Sequence, residues 1–437
     1  MEIWKENPYY WEYNGKPVLL LGGSDEDNLF NDPRLMHNLE TLQRCGGNYI
    51  RCTLSSRDEG NVWPYEKVGE LYDLNRFNPE YWARLDRCLR EAQRGEIIVQ
   101  IEIWATFDFY RDNWLVNPFN PALNVNYTTE TTRLETEWDH HPARKPQPFF
   151  HSPLALNDDR VLRTYQEVFV RKVLDTSLGY PNVLYCLDNE TSAPPEWAWY
   201  WAQLIHAEVR KRSASIQLTE MWDDHDLRGP QHRATYEHPE FFSFFEISQN
   251  NWQVGQAHHD RIMWARDAVA NQEGGIRPLN NVKVYARLDH APPSREVNIN
   301  RFWRNIFSGC ASTRFHRLPG GIGLDEDAQA MIRAARRFTE AFDLFHCEPR
   351  SDLLSDREPD GAYCLAILAQ VYALYFPRGG KVRLAIDNPD RALKLRWFDP
   401  WTAEFGKPET ITADGSVILQ SPDTEQIWLA LIQASPT

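Results

Sequence analysis

The residues with the clearest chemical potential are an adjacent amide and carboxylate, Asn189 and Glu190. They stand near the end of a short apolar segment, residues 182–192, which reads Asn-Val-Leu-Tyr-Cys-Leu-Asp-Asn-Glu-Thr-Ser. A proline precedes this segment and two more follow it, so we expect a buried strand that ends here and leaves Glu190 in the next loop. In a parallel α/β barrel, the loops at the carboxyl ends of the strands carry the chemistry.

Carboxylates at several predicted strand ends could supply acid–base chemistry. Hydrolysis of a glycosidic bond needs one carboxylic acid that protonates the leaving oxygen and a second carboxylate that acts as nucleophile or base. Asn189 distinguishes Glu190 from the other acids, because its amide can donate a hydrogen bond to the sugar hydroxyl beside the reacting carbon. A single acid at a strand end can equally belong to an ion pair. The candidate catalytic residues are Glu190, Asp289, Glu246 and Glu220.

Other polar and aromatic residues are expected at the same rim, where they could contact a substrate. Arg51 would place a fixed positive charge opposite a carboxylate, either within the site or as an ordinary ion pair. A structural role is an equal alternative for each residue, because loops over a barrel mouth also pair with one another. The candidate substrate-binding residues are Asn189, Arg51, Asp25, Trp104, Trp222, Gln249, Trp252 and His316, with Asp108 and Asp223 also expected near this rim. No metal site and no cofactor are predicted.

The elements that position these residues follow from the hydrophobic pattern. Short apolar runs alternate with amphipathic stretches over the first three quarters of the chain, which is typical of a parallel α/β sheet. Helices are predicted at 79–94, 159–176, 196–212 and 297–307. The eight predicted strands are 18–22, 48–53, 97–103, 182–189, 215–221, 241–247, 282–288 and 310–315. Eight is the number that a closed (β/α)8 TIM barrel needs.

Two regions depart from this alternation. Residues 107–158 are rich in Pro, Asn, Trp and His, and they follow the third predicted strand, so we expect them to lie over the same rim as Glu190. From residue 362 onward, period-two runs are separated by turn residues, which predicts a small antiparallel β-sandwich. The predicted domains are a catalytic barrel at 1–347 and a C-terminal sandwich at 348–437.

The amino-acid composition limits the classes of partner and the cellular compartments expected for this chain. The chain carries 62 Asp and Glu against 47 Lys and Arg and has no basic run, so nucleic acid is not expected to bind. The seven cysteines have no short paired spacing, which favours reduced thiols over disulfides or zinc. No apolar signal segment or membrane span occurs, so a cytoplasmic location without a membrane partner is expected, or an extracellular or periplasmic one if the chain was trimmed. The oligomeric state stays open.

The fourth predicted strand resembles a known signature. Its sequence Val-Leu-Tyr-Cys-Leu-Asp-Asn-Glu resembles the fourth strand of the clan of retaining (β/α)8-barrel glycoside hydrolases, in which the Asn-Glu pair carries the acid/base. More narrowly, the chain resembles the apiosidase-like barrel family, which carries a C-terminal β-sandwich named after collagen binding. The segments behind this resemblance are 13–23, Trp114 with 117–121, 245–249, 307–311, 372–380 and 395–400. The resemblance implies a retaining hydrolase that acts on a complex, plant-type polysaccharide.

The chain departs from the clan at the seventh strand, where the resemblance implies a glutamate nucleophile. Residues 283–290 read Lys-Val-Tyr-Ala-Arg-Leu-Asp-His, and Asp289 is the nearest acid. Its side chain is one methylene shorter, roughly 1.5 Å of reach. Asp289 is slightly favoured as the second carboxylate, Glu246 and Glu220 remain rivals, and an ion pair of Asp289 with Arg287 or Arg314 is the structural alternative.

Two functional hypotheses follow from these observations. In the first, the protein is a glycoside hydrolase and Glu190 is the general acid/base, with a pKa raised by apolar surroundings. In the second, it is a catalytically weakened barrel that binds carbohydrate without hydrolysing it, because the seventh-strand glutamate is missing. A weaker alternative assigns the sandwich to a protein partner. The sugar, the linkage and endo or exo action stay open.

Overall fold

The computed structural model describes residues 1–285, 294–318, 320–387 and 392–434. Within these residues, the first part of the chain contains eight parallel strands, each followed by one α-helix. The strands are β1 Leu20–Gly23, β2 Tyr49–Thr53, β3 Ile98–Ala105, β4 Val183–Asn189, β5 Leu218–Thr219, β6 Phe245–Glu246, β7 Leu279–Asn280 and β8 Ser312–Phe315. The helices are α1 Leu35–Arg44, α2 Pro79–Arg94, α3 Arg160–Ser177, α4 Pro195–Lys211, α5 Pro230–Tyr236, α6 Gly255–Ala270, α7 Arg295–Phe307 and α8 Glu326–Thr339.

The parallel strands form a curled sheet and a separate pair. The six-stranded sheet has the order β5-β4-β3-β2-β1-β8, and β6 pairs with β7. Backbone hydrogen bonds link the two groups: the Ser243 N–H donates to the Leu218 carbonyl at 2.9 Å, and four bonds join the β7 and β8 segments, among them Ala311 N–H to the Leu279 carbonyl at 2.9 Å and Val284 N–H to the Arg314 carbonyl at 2.7 Å. The expected ring of eight paired strands is therefore incomplete in the described part of the chain, because β5 and β6, and likewise β7 and β8, share hydrogen bonds without forming a continuous strand ladder.

Serine hydroxyls take up backbone N–H groups beside the shortest of these strands. Ser243 Oγ accepts from the Leu218 N–H at 3.0 Å. Ser248 Oγ accepts from the Val282 and Lys283 N–H groups at 3.0 and 3.1 Å. An N–H group that is bonded to a side chain does not contribute to a strand ladder. β5, β6 and β7 are consequently two residues long, much shorter than the sequence pattern predicts.

The predicted helices agree with the structure within one or two residues, and α2 has the predicted bounds. The Asn78 side chain caps α2 by accepting from the Glu80 N–H at 3.0 Å, and Pro79 occupies its first turn. The predicted strands coincide less closely, because β7 lies before the predicted range 282–288, and residues 286–288 of that range are outside the described residues.

The interior of the curled sheet is filled at its amino end. Short strands at Glu2–Ile3, Trp11–Tyr13 and Lys16–Val18 form an antiparallel sheet that precedes β1. The Trp11 side chain is fully buried in one cluster with residues of β1, β2, β3 and β4. Its Nε1–H donates to Asn280 Oδ1 at 2.9 Å. This packing leaves the carboxyl ends of the strands as the side where a cavity can open.

The long connection between β3 and α3 carries its own hydrogen bonds. Asn117 Nδ2 donates to the Asp108 carbonyl at 2.9 Å, and Asn120 Nδ2 donates to the Trp114 carbonyl at 3.0 Å. The asparagines that mark this segment in the sequence therefore hold its backbone in place. This connection contains the 3-10 helices Thr106–Phe109, Arg111–Val116 and Pro148–His151.

Elsewhere in the described chain, 3-10 helices lie at Leu29–Asn31, Ser248–Trp252, Leu344–His346 and Ser351–Leu353. A β-hairpin joins Tyr65–Val68 to Leu71–Phe77.

From residue 348 onward, antiparallel strands form two sheets with a core of their own. The larger sheet contains Glu348–Pro349, Tyr363–Ile367, Val371–Phe376, Trp428–Ala434, Leu393–Asp399, Glu404–Phe405 and Glu409–Ile411, and the smaller contains Leu354–Ser355, Lys381–Ala385 and Ser416–Gln420. Arg304 of α7 ties this part to the parallel sheet through two hydrogen bonds to Asp360, at 2.8 and 2.7 Å.

The seven cysteines are all buried and unpaired. Cys52 and Cys88 lie nearest to each other among the recorded sulfur contacts, with 3.8 Å between their Sγ atoms. Burial raises the pKa of the Cys186 thiol, as it does for the Cys310 thiol, so these groups stay protonated. Within the described ranges, no helix is both long and apolar enough to cross a membrane.

Candidate active site

A cavity of about 350 Å³ opens at the carboxyl ends of the parallel strands. Its walls come from residues that follow β1, β3, β4, β7 and β8, together with Arg51 of β2. In α/β barrels this end of the sheet binds the ligand. The described lining residues are Asp27, Arg51, Arg57, Phe107, Asn189, Glu190, Lys283, Tyr285, His316, Arg317 and Gly320. Four predicted site residues, Arg51, Asn189, Glu190 and His316, are thus brought together.

Glu190 is positioned by the abrupt end of β4. Every residue of β4 is buried, and Glu190 then adopts a left-handed backbone conformation with φ of 60°. For a residue with a Cβ this conformation costs roughly 1–2 kcal/mol, so the surrounding contacts must hold it. The Thr191 N–H, which donates to the Met221 carbonyl at 2.9 Å, provides one such contact. The Glu190 side chain lines the cavity and retains 13% exposure.

Lys283 is the main partner of Glu190. Its Nζ donates to Glu190 Oε1 and also to Asn189 Oδ1, the latter at 3.1 Å. Gln249 Nε2 donates to the same Glu190 oxygen at 3.0 Å, so this predicted site residue contacts the carboxylate directly. The lysine side chain is only 2% exposed, so little water screens the pair. The Asn-Glu pair is therefore bound to a buried cation.

This lysine reverses the expected protonation of Glu190. Burial disfavours the ionised carboxylate, but the charges of Lys283 and Arg51 and the hydrogen bond from Lys283 outweigh it, and the pKa of Glu190 is lowered from the ordinary glutamate value. The prediction of a raised pKa in apolar surroundings is wrong, because the buried side chain next to Glu190 is a cation. Glu190 is accordingly ionised at neutral pH.

The connection that follows β7 contributes a cation to the cavity. Lys283 and Tyr285 follow β7 and line the cavity. Asp289, the predicted second carboxylate, lies outside the described residues, as does its alternative partner Arg287. Arg314, the other residue expected to pair with Asp289, donates hydrogen bonds to the Val282 carbonyl at 3.0 Å and to Ser24 Oγ.

Arg51 is held by two acids. Its Nη2 lies 2.8 Å from Glu102 Oε2, and its Nε lies 3.6 Å from Asp27 Oδ1. Arg317 adds a second cation, with its Nε 2.9 Å from Asp27 Oδ2. Although burial opposes ionisation, these arginines hold the pKa of Asp27 far below its usual range. Arg51 therefore supplies the predicted fixed charge, but its direct ion pairs are with Asp27 and Glu102.

His316 lies beside this network as a neutral ring. Its Nδ1 is 3.6 Å from Asp27 Oδ1, and its ring centroid is 5.1 Å from that of Tyr285. Burial lowers the pKa of His316 to about 3, which keeps the imidazole uncharged at neutral pH. Burial likewise raises the pKa of Tyr285 well above its usual value. Both groups can thus exchange hydrogen bonds with a neutral, hydroxyl-rich ligand.

Glu220 and Glu246 are placed inside the protein and are not among the described lining residues. Glu220 Oε1 accepts from the N–H groups of Asp188 and Met221, at 3.0 and 2.8 Å. Glu246 Oε1 accepts from the Ser248 N–H at 2.9 Å. Burial raises the pKa of both glutamates, that of Glu246 to about 7. The structure does not place either carboxylate among the described lining residues of the cavity, because each side chain turns toward the backbone N–H groups at the end of its short strand.

The Glu220 and Asp188 carboxyls form a buried pair that retains a proton. Burial raises the pKa of Asp188 to about 7, and burial together with the Asp188 charge raises that of Glu220 well above its usual value. The unfolded chain releases the retained proton near pH 4, so the contribution of this pair to stability should fall as the pH rises from about 4 to 7, by up to about 1.4 kcal/mol per pH unit.

We expect Glu220→Gln to flatten this dependence, because the variant removes one ionisable group and its amide can donate to the Asp188 carboxylate. Urea unfolding at several pH values between 4 and 7 measures the slope. Glu96→Gln, at an exposed site, is the control and should keep the wild-type slope. A Glu220→Gln slope equal to that of wild type would contradict the retained proton.

The predicted aromatic residues lie apart from the described cavity lining: Trp104 and Trp222 are buried in the core, and Trp252 is partly exposed. Trp104 packs among rings that include Phe169, at 5.0 Å between centroids, and Trp222 donates to Thr235 Oγ1 at 2.8 Å. Trp252 stacks on a histidine ring at 3.9 Å. Asp25 Oδ1 accepts from the Leu324 N–H at 3.1 Å. None of these four predicted residues is among the described lining residues.

Several lining residues were missed by the sequence analysis. Asp27 lies two residues after the predicted Asp25, and Arg317 directly follows the predicted His316, so their strand-end location was a usable signal. Arg57 comes from the loop after β2 and Phe107 from the 3-10 helix Thr106–Phe109, and the Arg57 guanidinium lies 5.8 Å from the Phe107 ring centroid. Lys283 stands between two valines, a pattern that indicates a buried position but not its partner.

Asp223, expected near the rim, lies on the loop after β5. Its N–H donates to the Thr191 carbonyl at 2.8 Å, and its Oδ2 lies 3.3 Å from Ser192 Oγ and 3.6 Å from His141 Nε2. Burial and the charge of Glu190 raise the pKa of Asp223 to about 7. The pKa of Asp223 is thereby raised while the pKa of the neighbouring Glu190 is lowered.

Across the described residues, no group of three His, Cys, Asp or Glu side chains is arranged to hold a metal ion.

No protein-family profile matches the chain, and no curated protein matches it. Several solved structures, however, are similar to the chain in fold. A glycoside hydrolase family 5 protein from Bacteroides vulgatus ATCC 8482 is similar with a TM-score of 0.67 at 11% identity, over 99% of this chain and 92% of that chain. A second glycoside hydrolase has a TM-score of 0.65 at 12% identity, over 99% and 96%. A noncanonic maltogenic α-amylase from Thermotoga neapolitana has a TM-score of 0.54 at 12% identity, over 96% and 97%.

At these identities the likeness is one of fold, and it spans both parts of the chain. The clan-level resemblance is thus supported for the architecture. The narrower resemblance to the apiosidase-like family, and to the sandwich named after collagen binding, stays a prediction.

Proposed function

We propose that this protein is a glycoside hydrolase that cleaves a glycosidic bond in a complex, plant-type polysaccharide or oligosaccharide. The observation that carries the proposal is the Asn189–Glu190 pair, which ends β4 inside a polar cavity of about 350 Å³. Cavities of roughly 300–1,000 Å³ are typical of sites for small ligands. Two of the similar structures with nearly full coverage are named glycoside hydrolases, which supports the same class of chemistry.

The charges in the cavity support the role of ionised carboxylate for Glu190. Lys283 and Gln249 both donate to its Oε1, which stabilises the anion. An ionised carboxylate can attack the anomeric carbon or activate a water, but it has no proton to give to the leaving oxygen. Direct attack by Glu190 would produce the retaining outcome that the clan resemblance implies.

Arg57, Phe107 and His316 complete the proposed substrate contacts. Arg57 donates to Asp108 Oδ1 at 3.0 Å and presents its guanidinium above the Phe107 ring. The flat, apolar ring suits the face of a sugar, and the neighbouring donors suit its hydroxyls. These residues follow different strands and loops, so together they could orient one ring against Glu190.

Residues 1–347 are the proposed catalytic barrel, which we expect to close into a (β/α)8 ring, and residues 348–437 are the proposed supporting sandwich. The Arg304–Asp360 contact supports a structural role for the sandwich, because it joins the two parts through a guanidinium that is only 4% exposed. A charge pair of this kind resists separation, since water cannot readily replace either partner.

A second function is favoured by one observation, the buried Lys283 that neutralises Glu190. A barrel that has lost its seventh-strand anion could bind carbohydrate without cleaving it. In that case the cavity would still offer donors and an aromatic face, but the ion pair would be inert. This alternative and the hydrolase predict different results in a single assay.

The test is incubation of the purified chain with soluble mannan, xylan, arabinan, pectic galactan and mixed-linkage glucan, followed by measurement of reducing sugar. We expect at least one polysaccharide to release sugar, and we expect Glu190→Ala to abolish that release. Calorimetric binding of a polysaccharide without any product after long digestion would instead support the binding protein. Sugar release that persists in Glu190→Ala would contradict the proposed site.

A further inference from the structure

We propose that Asp223 is the carboxylic acid that protonates the leaving oxygen, opposite an ionised Glu190. This assignment rests on the proposed hydrolase function. Hydrolysis needs both a proton donor and a carboxylate, and Lys283 has made Glu190 the carboxylate. The proton donor must therefore be a second group at the same rim.

The backbone brings Asp223 to the correct place. The loops after β4 and β5 pair beyond the ends of their strands: the Thr191 N–H donates to the Met221 carbonyl at 2.9 Å, and the Asp223 N–H returns to the Thr191 carbonyl at 2.8 Å. Thr191 and Trp222 form a parallel bridge between these bonds. Asp223 is consequently held beside the residue that follows Glu190, although the two acids come from different βα units.

The long connection after β3 covers the Asp223 carboxyl from one side. His141 Nε2 lies 3.6 Å from Asp223 Oδ2, and the His141 ring packs on Tyr110 and Phe107, with centroid distances of 5.0 and 6.4 Å. Phe107 itself lines the cavity. The Asp223 side chain retains 21% exposure, so it borders solvent near this aromatic wall.

Asp223 is also the acid that remains available. Asp27 is bound by Arg317 at 2.9 Å and Glu102 by Arg51 at 2.8 Å, so both are held as ion pairs. Glu220 and Glu246 bond backbone N–H groups in the interior, as described above. Asp223 has no comparable cation: its closest recorded partners are the Ser192 hydroxyl and the His141 ring. Among the contacts of the described residues, Asp223 pairs with no lysine or arginine, so it can release a proton, and it borders the described cavity lining without being part of it.

The charges around Asp223 favour the protonated form. Burial and the Glu190 anion raise its pKa to about 7, while the Lys283 cation acts in the opposite direction. Asp223 and Glu190 therefore hold different protonation states near neutral pH, the pattern that distinguishes an acid from its partner carboxylate. The titratable groups that face Asp223 are Glu190, Lys283, Asp224, His141, Tyr110 and Tyr285.

The proton on the Asp223 carboxyl passes to the glycosidic oxygen while the bond from that oxygen to the anomeric carbon breaks. A Glu190 oxygen forms a new bond to the anomeric carbon, which leaves Asp223 as a carboxylate. Asp223 then takes a proton from a water, whose oxygen displaces Glu190 from the sugar. Both residues return to their starting states, and no cofactor is consumed.

The dependence of the rate on the leaving group tests this assignment. Phenyl and 2,4-dinitrophenyl glycosides of the sugar that the wild type releases are compared in wild type, Asp223→Ala and Asp223→Asn. We expect both variants to lose about 10²- to 10⁴-fold in kcat/KM on the phenyl glycoside, whose leaving oxygen needs a proton. On the dinitrophenyl glycoside, whose leaving group departs as an anion, we expect a loss below about tenfold in kcat/KM.

The pH profile gives a second readout. The wild-type rate on the phenyl glycoside should fall as the pH rises through about 7, and the two variants should lack this decrease.

Controls separate this inference from the function on which it rests. Asp224→Asn changes the neighbouring carboxyl on the same loop and should keep the wild-type leaving-group dependence. Equal losses on both glycosides in Asp223→Ala, or no loss on either, would overturn the inference while leaving the hydrolase in place. The selective loss in Asp289→Asn instead would transfer the acid role to that residue. Absence of wild-type turnover on every substrate would overturn the hydrolase, and the role of Asp223 with it.

Discussion

Glu190→Gln lowers turnover by at least about 10³-fold, because the amide can neither attack the anomeric carbon nor accept a proton from water. The loss should be similar for substrates with good and poor leaving groups, since the missing group is the anion and not the acid. Initial rates on the substrate identified for the wild type, compared at equal protein concentration, measure the effect. Glu96→Gln removes an exposed carboxylate at the opposite end of the sheet and should leave the rate unchanged.

The same substitution leaves Lys283 buried without an anion. The amide side chain that replaces the carboxylate keeps an oxygen that can accept from Nζ, so part of the interaction survives, but an unpaired buried charge is costly. The double variant Glu190→Gln/Lys283→Met removes that charge and should be as inactive as the single variant while unfolding at a higher urea concentration.

A Glu190→Gln protein that is folded and retains more than about a tenth of wild-type turnover would contradict the catalytic role proposed for Glu190.

Arg51→Met destabilises the protein by about 3–5 kcal/mol, the cost of breaking a buried ion pair from one side. Arg51 and Glu102 are 1% and 0% exposed in their side chains, so water cannot replace the missing guanidinium. Asp27 loses the same cation and keeps only Arg317. Urea unfolding near pH 7 measures the change in the free energy of unfolding.

Two variants calibrate this prediction. Arg94→Met removes a cation that is 68% exposed and pairs with Glu91, and it should cost less than about 1 kcal/mol. Arg51→Met/Glu102→Gln removes both charges of the buried pair and should recover part of the stability that the single variant loses. A loss for Arg51→Met as small as that for Arg94→Met would mean that the buried network does not depend on Arg51.

The chain's own local signals determined the end of β4 and much of the helical layer. The apolar segment before Glu190 lies between prolines, and the structure ends the strand at Asn189. Likewise, Asn78 and Pro79 start α2 where the sequence predicts it. These features depend on residues that are adjacent along the chain. A strand boundary or a helix cap is decided within a few residues, so the sequence alone is sufficient to locate it.

Only the tertiary structure decided which side chains meet in the cavity. Lys283 reaches Glu190 from 93 positions away, and this contact decides the protonation state of the carboxylate. Glu220 and Glu246 were predicted at the rim but turn inward, because their short strands end on side-chain hydrogen bonds that no local pattern reveals. Asp223 gains its raised pKa from burial and from the charge of Glu190 on a different loop. Such properties depend on distances between segments, since electrostatic interactions act through space and grow as water is excluded.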